Sequence, residues 1–451
     1  MLKHARWLVV LAVSLAACAP LPATRQTAQP KNVIVLYADG TAVTQWEFGR
    51  YSSRALRKSG FAVTDVVFHQ GSLGFLTTHP YEAFATDSAS AASAMSTGVK
   101  TTIGAIAVGP DGKPARTAAE VARAQGKRIG LVTTAEIYDA SPAAFSVHAR
   151  SRRDAASIVD QYLALAPEVL MGGGADQFKP AHLEGFRGKG YALARNAAEL
   201  KAAAGPRLLG LFAEESMAYA IDRDAGEPSF ADMMRAALKA LATDNPRGFF
   251  LFIENENTDT AGHRNDAAAL MRDLWAFDEA LRVALEFQRG SPDTLIIVTG
   301  DHETGGLSAT YAFRDLSSTS SKNRFYTGDA QLQLLAGISI SFDKALEQLG
   351  KKPTNEGIDK LLAAHFPGFR LDADLREAIL KGQILERNNS YPVRNALGRM
   401  VARRTGFYWG TSGHSTEPVV VGAIGPGAER FRGYHDNTDF GRILHGLLGQ
   451  R

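Results

Sequence analysis

Residues that can bind metal ions follow four apolar segments of the sequence. Each segment is short, rich in branched or aromatic side chains, and typical of a buried strand. The segments and the residues at their ends are 32–38 with Asp39, 128–134 with Asp139 and Ser141, 248–254 with Glu254, Asp259 and His263, and 293–300 with Asp301 and His302. A fifth segment, 408–429, contains His414 before another apolar run. Imidazole with carboxylate suits zinc, and oxygen ligands alone suit magnesium, so the set is compatible with both metals.

The spacing of Glu254, Asp259 and His263 argues against one continuous helix that binds one ion. A helix turns by about 100° per residue, so on one continuous helix Asp259 would lie far around the axis from Glu254. His263 would lie on the side of the helix opposite to Glu254. A strand end and a loop that supply two different metals fit the spacing better. Asp301 and His302 are adjacent, so they can reach one ion only from extended or turn backbone.

Ser88 stands in a stretch of small residues, ATDSASAAS at 85–93, directly after Asp87. Two interpretations are open: Ser88 caps a helix, or it is a nucleophile held at a helix N-terminus. Backbone N–H groups and the helix dipole favour an anion there, and small neighbours leave room for a metal and a substrate. A serine hydroxyl is a poor nucleophile until it is activated. The metal-binding residues elsewhere in the chain favour the nucleophile.

The elements that must position these residues alternate along the chain. Helical patterns at 115–126, 230–243 and 269–288 separate the apolar segments. This order predicts an α/β fold with a mostly parallel central sheet and helices on both faces. Ligands bind beyond the carboxyl ends of the strands in such sheets, where the metal-binding residues stand. Strand signals are sparse over 303–412, so we expect a helical insertion, at about 307–405, that caps the site or meets a partner subunit.

The N-terminus has the pattern of an export signal. Residues 1–17 combine a basic start with an apolar run too short to span a bilayer, ending in small residues. Cys18, the only cysteine, closes the sequence LAAC, which looks like a bacterial lipobox. We therefore predict lipidation of Cys18, a tether over 18–30 and a folded domain over 31–451. An ordinary secretory signal is the alternative. Either predicts export, and lipidation predicts a periplasmic or cell-envelope lipoprotein, attached to the outer membrane where two membranes exist.

Composition excludes some partners. The formal net charge is +3 and no basic stripe is present, so nucleic acid is not an expected partner. No second apolar segment is long enough to span a membrane, so contact with a membrane is expected only through the lipid anchor. With 45% hydrophobic residues, the chain can build a substantial core.

Six ordered motifs resemble those of the alkaline phosphatase family. They are VIVLYADG (33–40), TDSASAASAMSTGVKT (86–101), YDASPAAFSVHARSR (138–152), IENENTDTAGH (253–263), TGDHETGG (299–306) and GHSTEPVVV (413–421). The stretch LLGLFAEESMAY (208–219) is also similar to the family. The match covers nearly the whole mature sequence.

The resemblance implies hydrolysis of small phosphate monoesters of broad type, with two zinc ions and one magnesium ion. The implied ligands are Asp259, His263 and His414 for one zinc, Asp39, Ser88, Asp301 and His302 for the other, and Asp39, Asp139, Ser141 and Glu254 for magnesium. Ser88 is the implied nucleophile, forming a phosphoserine that metal-bound water hydrolyses, and Arg152 would bind the phosphate. Family members are often homodimers.

Some positions depart from the family. Thr260 stands where some members carry Lys or His, Glu303 also differs, and Ser141 replaces a threonine but keeps the hydroxyl. His69, His79, His365 and His435 match no metal motif and are expected to be structural. His148 is expected to be a hydrogen-bonded core histidine, or one that supports a ligand, and not a metal ligand itself. The rivals are a phosphodiesterase or sulfatase of the same superfamily, whose nucleophile patterns are missing at 86–92, and a phosphate- or metal-binding protein without turnover.

Overall fold

The computed structural model describes residues 29–313 and 324–449. Its strands are β1 (Asn32–Ala38), β2 (Ser72–Leu76), β3 (Arg128–Glu136), β4 (Val169–Gly173), β5 (Ala192–Ala194), β6 (Leu208–Leu211), β7 (Phe249–Asn255), β8 (Thr294–Thr299), β9 (Glu303–Thr304), β10 (Leu307–Ala309), β11 (Tyr311–Phe313), β12 (Arg324–Tyr326), β13 (Phe407–Trp409), β14 (His414–Ser415), β15 (Val419–Ile424) and β16 (Gly433–His435).

Helices surround these strands. They are α1 (Val43–Ser52), α2 (Ser88–Thr97), α3 (Ala118–Ala124), α4 (Ala140–Ala144), α5 (Ala155–Leu165), α6 (Pro180–Gly188), α7 (Ala197–Ala202), α8 (Phe230–Ala242), α9 (Asn257–Arg264), α10 (Ala267–Gly290), α11 (Asp329–Ala336), α12 (Phe342–Leu349), α13 (Asn355–His365), α14 (Ala373–Lys381), α15 (Pro392–Thr405) and α16 (Asn437–Leu448). Short π-helical turns cover Ser53–Arg57 and Val63–Phe68, and 3₁₀ turns cover Ala175–Gln177 and Ala428–Phe431.

The four predicted strands are neighbours in the middle of a ten-stranded sheet. The strand order is β16-β2-β15-β8-β1-β7-β3-β4-β6-β5. Strand β15 runs antiparallel to both of its neighbours, and the other pairs of the sheet are parallel. The four carboxyl ends of β8, β1, β7 and β3 therefore lie side by side at one edge of the sheet, as the sequence predicted.

Strand β1 shows why these segments read as continuous apolar runs. Ile34 and Leu36 pack into one apolar cluster, whereas Val33 and Val35 pack into a second cluster on the other face. Because successive side chains of a strand point to opposite faces, both faces must be apolar when helices cover both. The predicted α/β fold is confirmed.

Helix bounds differ from the sequence predictions where a cap sets the first residue. The pattern at 115–126 predicts a longer helix than α3, which begins only after Thr117. Thr117 is extended, its hydroxyl accepts from the Glu120 N–H, and Glu120 reaches back to the Thr117 N–H. This capping box fixes the start of the helix at Ala118.

In its described part, the predicted insertion contains five helices, α11 to α15, and the short strands β10 to β12. Phe342, Leu361 and Met400 belong to the same apolar cluster as Ile34, so these helices share the core of the sheet. Strand β10 pairs with β13 at Leu307 and Trp409, at the two ends of the segment. The predicted limits of 307–405 stay a prediction.

The predicted signal, Cys18 and most of the tether lie outside the described residues. Within 29–313 and 324–449, every helix is too short or too polar to cross a bilayer.

Candidate metal and catalytic site

Three acidic side chains meet where the central strands end. Asp39 follows β1, Glu254 lies near the end of β7, and Asp301 follows β8. Tyr37 of β1 is in register with both Glu254 and Thr299, so the three strands end at one level. All three carboxylates are buried. The parallel sheet thus concentrates negative charge at one point, which is costly without a cation.

Ser88 is the first residue of α2, and Asp87 rather than Ser88 caps that helix. The Asp87 carboxylate accepts from the Ser90 N–H at 3.0 Å and from the Ser90 hydroxyl at 2.7 Å. Its second oxygen accepts from the Gly104 N–H at 3.1 Å. Because Asp87 caps the first turn through the Ser90 N–H, the Ser88 hydroxyl is not needed as the cap and is left for other contacts.

The Nε2 atom of His302 has three of the predicted site oxygens around it. Ser88 Oγ lies 3.3 Å away, Asp301 Oδ2 lies 3.3 Å away and Asp39 Oδ1 lies 3.6 Å away. Asp39 Oδ1 and Asp301 Oδ2 are buried and have no hydrogen-bond partner among the described residues. Unpartnered oxygens around one imidazole nitrogen fit a zinc ion.

A second group consists of Asp259, His263 and His414. His263 Nε2 lies 3.1 Å from Asp259 Oδ2 and 3.1 Å from His414 Nε2. The Nδ1 atoms contact backbone carbonyls, at 2.6 Å to Ser412 and 2.7 Å to Thr86. A carbonyl only accepts, so each Nδ1 carries a proton, and Nε2 is the ring atom that each histidine turns towards Asp259 and the other ring. This group is also suited to zinc.

The two groups share Asp259. Its carboxylate also lies close enough to Asp39 and His302 for the three to hold one ion, a combination that the sequence did not predict. Thr304 links the groups further, because its hydroxyl donates to Asp259 and its oxygen contacts His302 Nδ1 at 3.2 Å.

The segment from Glu254 to His263 differs in part from its sequence prediction. Glu254 lies in strand β7 as expected, but Asp259 and His263 lie on the short helix α9 rather than in a loop. Four residues apart on a helix, they point to the same side. The prediction chose between one continuous helix and a strand end followed by a loop, whereas the chain changes from strand to helix at Glu256.

The predicted magnesium ligands form a third group in which Asp139 has a competing partner. Ser141 Oγ and Glu254 Oε1 are buried and unpartnered within the described residues, and Glu254 Oε2 accepts from Thr133 at 2.6 Å. The Asp139 carboxylate instead accepts from one Arg152 nitrogen, at 2.8 and 3.0 Å. Oxygen donors alone suit magnesium.

Arg152 lies between two acidic residues. Besides its contact with Asp139, its other terminal nitrogen lies 3.6 Å from Asp87 Oδ2. Its backbone N–H donates to the Gly104 carbonyl at 2.8 Å, and Gly104 also donates to Asp87. The guanidinium is therefore held beside the residue that precedes Ser88.

Burial and mutual repulsion shift the acidities of the site. Burial, with repulsion from Asp301, raises the pKa of Asp39 well above its usual range. Burial, with repulsion from Asp259, raises the pKa of Asp301 to about 7. Burial also raises the pKa of Glu254. A divalent cation among these carboxylates would lower all three pKa values, because it favours their charged forms.

Two of the three departures from the family pattern, Glu303 and Thr260, form hydrogen bonds within the chain. Glu303 accepts from the Gln45 side chain at 2.6 Å and from the Gly306 and Leu307 N–H groups, so it holds the turn after His302. The Thr260 hydroxyl donates to Glu256 Oε1 at 2.5 Å. His148 contacts the Ala107 carbonyl and Glu120, away from the metal groups.

Comparisons with known proteins identify the family of the chain. A family model for alkaline phosphatases matches residues 30–449. Alkaline phosphatase 3 of Bacillus subtilis (strain 168) is 33% identical over 430 residues, which cover 93% of this chain and 89% of the relative. The crystal structure of Thermus thermophilus alkaline phosphatase has a TM-score of 0.84 at 30% identity, covering 94% of this chain and 92% of that one. The cold-active alkaline phosphatase from a psychrophilic Shewanella sp. has a TM-score of 0.78 at 30% identity, with 92% and 99% covered. The chain belongs to the alkaline phosphatase family of metal-dependent enzymes, and it hydrolyses phosphate monoesters.

Proposed function

We propose that Ser88 is the nucleophile in a two-step hydrolysis of phosphate monoesters. The observation that carries the proposal is the position of Ser88 Oγ, 3.3 Å from His302 Nε2, beside unpartnered oxygens of Asp39 and Asp301. Asp87 caps α2 in its place, so the hydroxyl is not needed for the helix. The N-terminus of α2 favours the negative charge that collects on the phosphoryl group.

The proposed reaction consists of two successive displacements at phosphorus. Ser88 Oγ loses its proton and forms a bond to phosphorus, while the bond to the ester oxygen breaks and the alcohol leaves with a proton. Water then attacks the phosphoserine, phosphate leaves, and the Ser88 hydroxyl is restored. Arg152 would bind two phosphate oxygens through its planar fork. To do so, the guanidinium must exchange part of its contact with Asp139 for the substrate.

The donor groups support two zinc ions and one magnesium ion. The proposed ligands are Asp259, His263 and His414 for one zinc, Asp39, Asp301, His302 and Ser88 for the other, and Asp139, Ser141, Glu254 and Asp39 for magnesium. When bound, such ions lower the pKa of a coordinated hydroxyl and stabilise charge on attacking and leaving oxygens. The carboxylates and imidazoles of each set would contribute by directing their lone pairs towards one shared metal position.

Trapping the covalent intermediate tests the nucleophile. Wild-type enzyme is incubated with a radiolabelled monoester, quenched in acid, and the labelled peptide is sequenced. Label is expected on Ser88, and S88A should bind metals but acquire no label. The matched control is S90A, two residues along α2, which should still be labelled. Label on another residue would disprove the assignment.

We also propose that Cys18 is lipidated and that the enzyme is a periplasmic lipoprotein of the outer membrane. The support is the sequence LAAC after an apolar run, followed by Ala19. C18S should lack the lipid mass and leave the membrane fraction. Unchanged mass and unchanged fractionation would show that Cys18 is not an anchor.

For assembly, we propose a homodimer with the 307–405 segment as an insertion beside the site. The support is the resemblance to the family and the position of the segment's helices against the core. Light scattering gives the mass that tests the dimer.

A further inference from the structure

The chain enters the described structure at the edge of the sheet opposite to the metal-binding residues. The Gln29 side chain donates to the Gly446 carbonyl at 3.0 Å. The Lys31 N–H donates to the Asp293 carbonyl at 2.8 Å. Strand β1 then runs for seven residues, about 23 Å, before Asp39. We call the edge where β1, β3, β7 and β8 begin the amino edge, and the edge with Asp39 the carboxyl edge.

Helices that end at the amino edge carry basic residues there. Helices α3, α6, α7, α8 and α10 each lead into a parallel strand, so their C-terminal ends lie at that edge. One on each helix, the basic residues of the last turns are Arg123, Arg187, Lys201, Lys239 and Arg289. A cation at a helix C-terminus stabilises that helix by itself, because it offsets the helix dipole.

Three further basic residues at the amino edge, Lys31, Arg247 and Arg430, belong to none of these helices. Lys31 and Arg247 precede the neighbouring strands β1 and β7, and the Lys127 ammonium donates to both of their carbonyls, at 2.6 and 3.4 Å. The Arg430 guanidinium lies beside Gly446, the residue that holds the entering chain. None of the three forms a salt bridge within residues 29–313 and 324–449. No helix end requires them, and they surround the point where the tether leaves the domain.

The amino edge carries a net positive charge. The exposed acidic residues in its turns are Asp244 before β7, Asp293 before β8 and Glu429 beside Arg430. The basic residues of the helix ends and of the tether exit outnumber them. No run of Lys or Arg in the sequence indicates this surface, because the residues are tens of positions apart and only the parallel topology brings them to one edge.

The tether limits which surface can meet a membrane that holds Cys18. Cys18 and Gln29 are eleven positions apart, so the tether spans at most about 40 Å when fully extended. To bring the carboxyl edge to the membrane, the tether would first have to pass the height of the sheet, about 23 Å along β1 alone. The amino edge needs no such path, because the chain leaves from it. Its positive charge suits a surface of anionic phospholipid headgroups.

We propose that the amino edge docks on the anionic phospholipid surface of the membrane that holds the anchor, so that the metal-binding residues face away from that membrane. The proposal rests on the lipidation of Cys18 proposed above. It adds an interaction surface, since the sequence predicted membrane contact only through the anchor. In this orientation the site is open to soluble phosphate monoesters of the surrounding compartment.

Fluorescent labels at the two edges test the orientation. Cys18 is the only cysteine, and lipidation occupies its thiol, so one added cysteine can be labelled alone. Q125C labels an exposed residue after α3 at the amino edge, and S216C labels an exposed residue after β6 at the carboxyl edge. Each full-length, lipidated enzyme is inserted into vesicles that carry an energy acceptor on their headgroups.

The measured quantity is the ratio of energy transfer at Q125C to that at S216C. On vesicles that contain phosphatidylglycerol, we expect a ratio of about two or more, because the two edges differ in height by about 23 Å. On neutral phosphatidylcholine vesicles, and in 0.5 M salt, where the Debye length is about 4 Å, the ratio should fall. A ratio near or below one on the anionic vesicles would overturn the proposal, as would equal ratios on anionic and neutral vesicles.

Charge variants locate the docking surface. K31Q/R247Q/R430Q removes the cations around the tether exit and should lower the ratio on anionic vesicles to its value on neutral ones. The matched control, K179Q/K351Q/K352Q, removes three exposed cations that follow β4 and α12, away from the amino edge, and should leave the ratio unchanged. An unchanged ratio in the folded first variant would overturn the assignment. If that variant does not fold, the vesicle and salt comparisons of the otherwise unchanged enzyme decide the question.

The mass of the enzyme separates this proposal from the proposed anchor. Absence of lipid mass on Cys18 would disprove the anchor and overturn the orientation with it. Lipid mass together with a label ratio near one would keep the anchor and disprove only the docking surface. Hydrolysis of a soluble monoester should be equal in the wild type and in both charge variants, because none of the changed residues belongs to the metal or phosphate site.

Discussion

Nε2 of His263 and Nε2 of His414 face each other at 3.1 Å, although the residues are 151 positions apart. Two lone pairs at this distance repel unless a proton or a metal ion lies between them. Both rings are fixed from behind by backbone carbonyls, so neither can turn away. The pair is therefore arranged for a shared ion, with Asp259 as the third ligand.

We expect H414A to lose about one zinc ion per chain. The Asp259 and His263 pair that remains has too few ligands for tight binding, whereas the group around His302 keeps its own ligands. The measurement is metal content by mass spectrometry after dialysis, compared with the wild type. H365A, at an exposed contact with Ser339 and Gln348, is the matched control and should retain all metal. Equal loss from both zinc sites would contradict the separate assignment of His414.

Removal of the metal ions should make stability strongly dependent on pH. The folded-state pKa values of Asp39, Glu254 and Asp301 are raised, that of Asp301 to about 7, above the unfolded values near 4. In this range the folded protein binds more protons than the unfolded chain, so its stability falls as pH rises. Metal-free protein should show a lower Tm at pH 8 than at pH 5. Metal-loaded protein should not show this decrease, and equal profiles for both would contradict the argument.

The four central strands and the metal-binding residues at their ends could be predicted from the sequence for one physical reason. A strand buried on both faces must be apolar throughout, so an acidic residue that follows it stands out. The contacts that orient the site could not be predicted in this way. His263 and His414 are held by the carbonyls of Ser412 and Thr86, and a carbonyl has no signature in sequence.

Two other features were missed, and for the first of them a signal existed. Asp87 was noted only as an acid before Ser88, but it is an N-cap, as Asp commonly is before a helix of small residues. The helix α9 was predicted as a loop, because the change from strand to helix at Glu256 left too few residues for a helical pattern to be visible. The contact between Arg152 and Asp139 depends on tertiary packing.

The ion pair between His148 and Glu120 should stabilise the protein at acidic but not at alkaline pH. The hydrogen bond that the His148 imidazole donates to the Glu120 carboxylate raises the pKa of His148. The stabilisation is therefore complete below the unfolded pKa of His148 and is lost as pH rises through the folded pKa. E120Q removes the charge and keeps the capping box with Thr117. The Tm difference between wild type and E120Q should be larger at pH 6 than at pH 9, and in an H148Q background it should not depend on pH. A difference that grows with pH would refute the assignment.

Arg152 should distinguish monoesters from diesters. A monoester has three non-bridging oxygens, of which one can face the metal groups while two meet the guanidinium fork. A diester has two, so its second ester group would lie where Arg152 requires an oxygen. Charge-assisted hydrogen bonds contribute about 1.5–3 kcal/mol each, which is roughly one to two powers of ten in rate. R152A should therefore depress kcat/KM for a monoester and weaken inhibition by phosphate, while slow hydrolysis of a diester falls much less.

Arg153, the exposed neighbour, provides the matched control R153A, for which the monoester-to-diester ratio should equal that of the wild type. Because Arg152 also neutralises Asp139, the magnesium content of R152A should be measured beside the rates. An unchanged ratio with unchanged magnesium would show that Arg152 does not bind the phosphate.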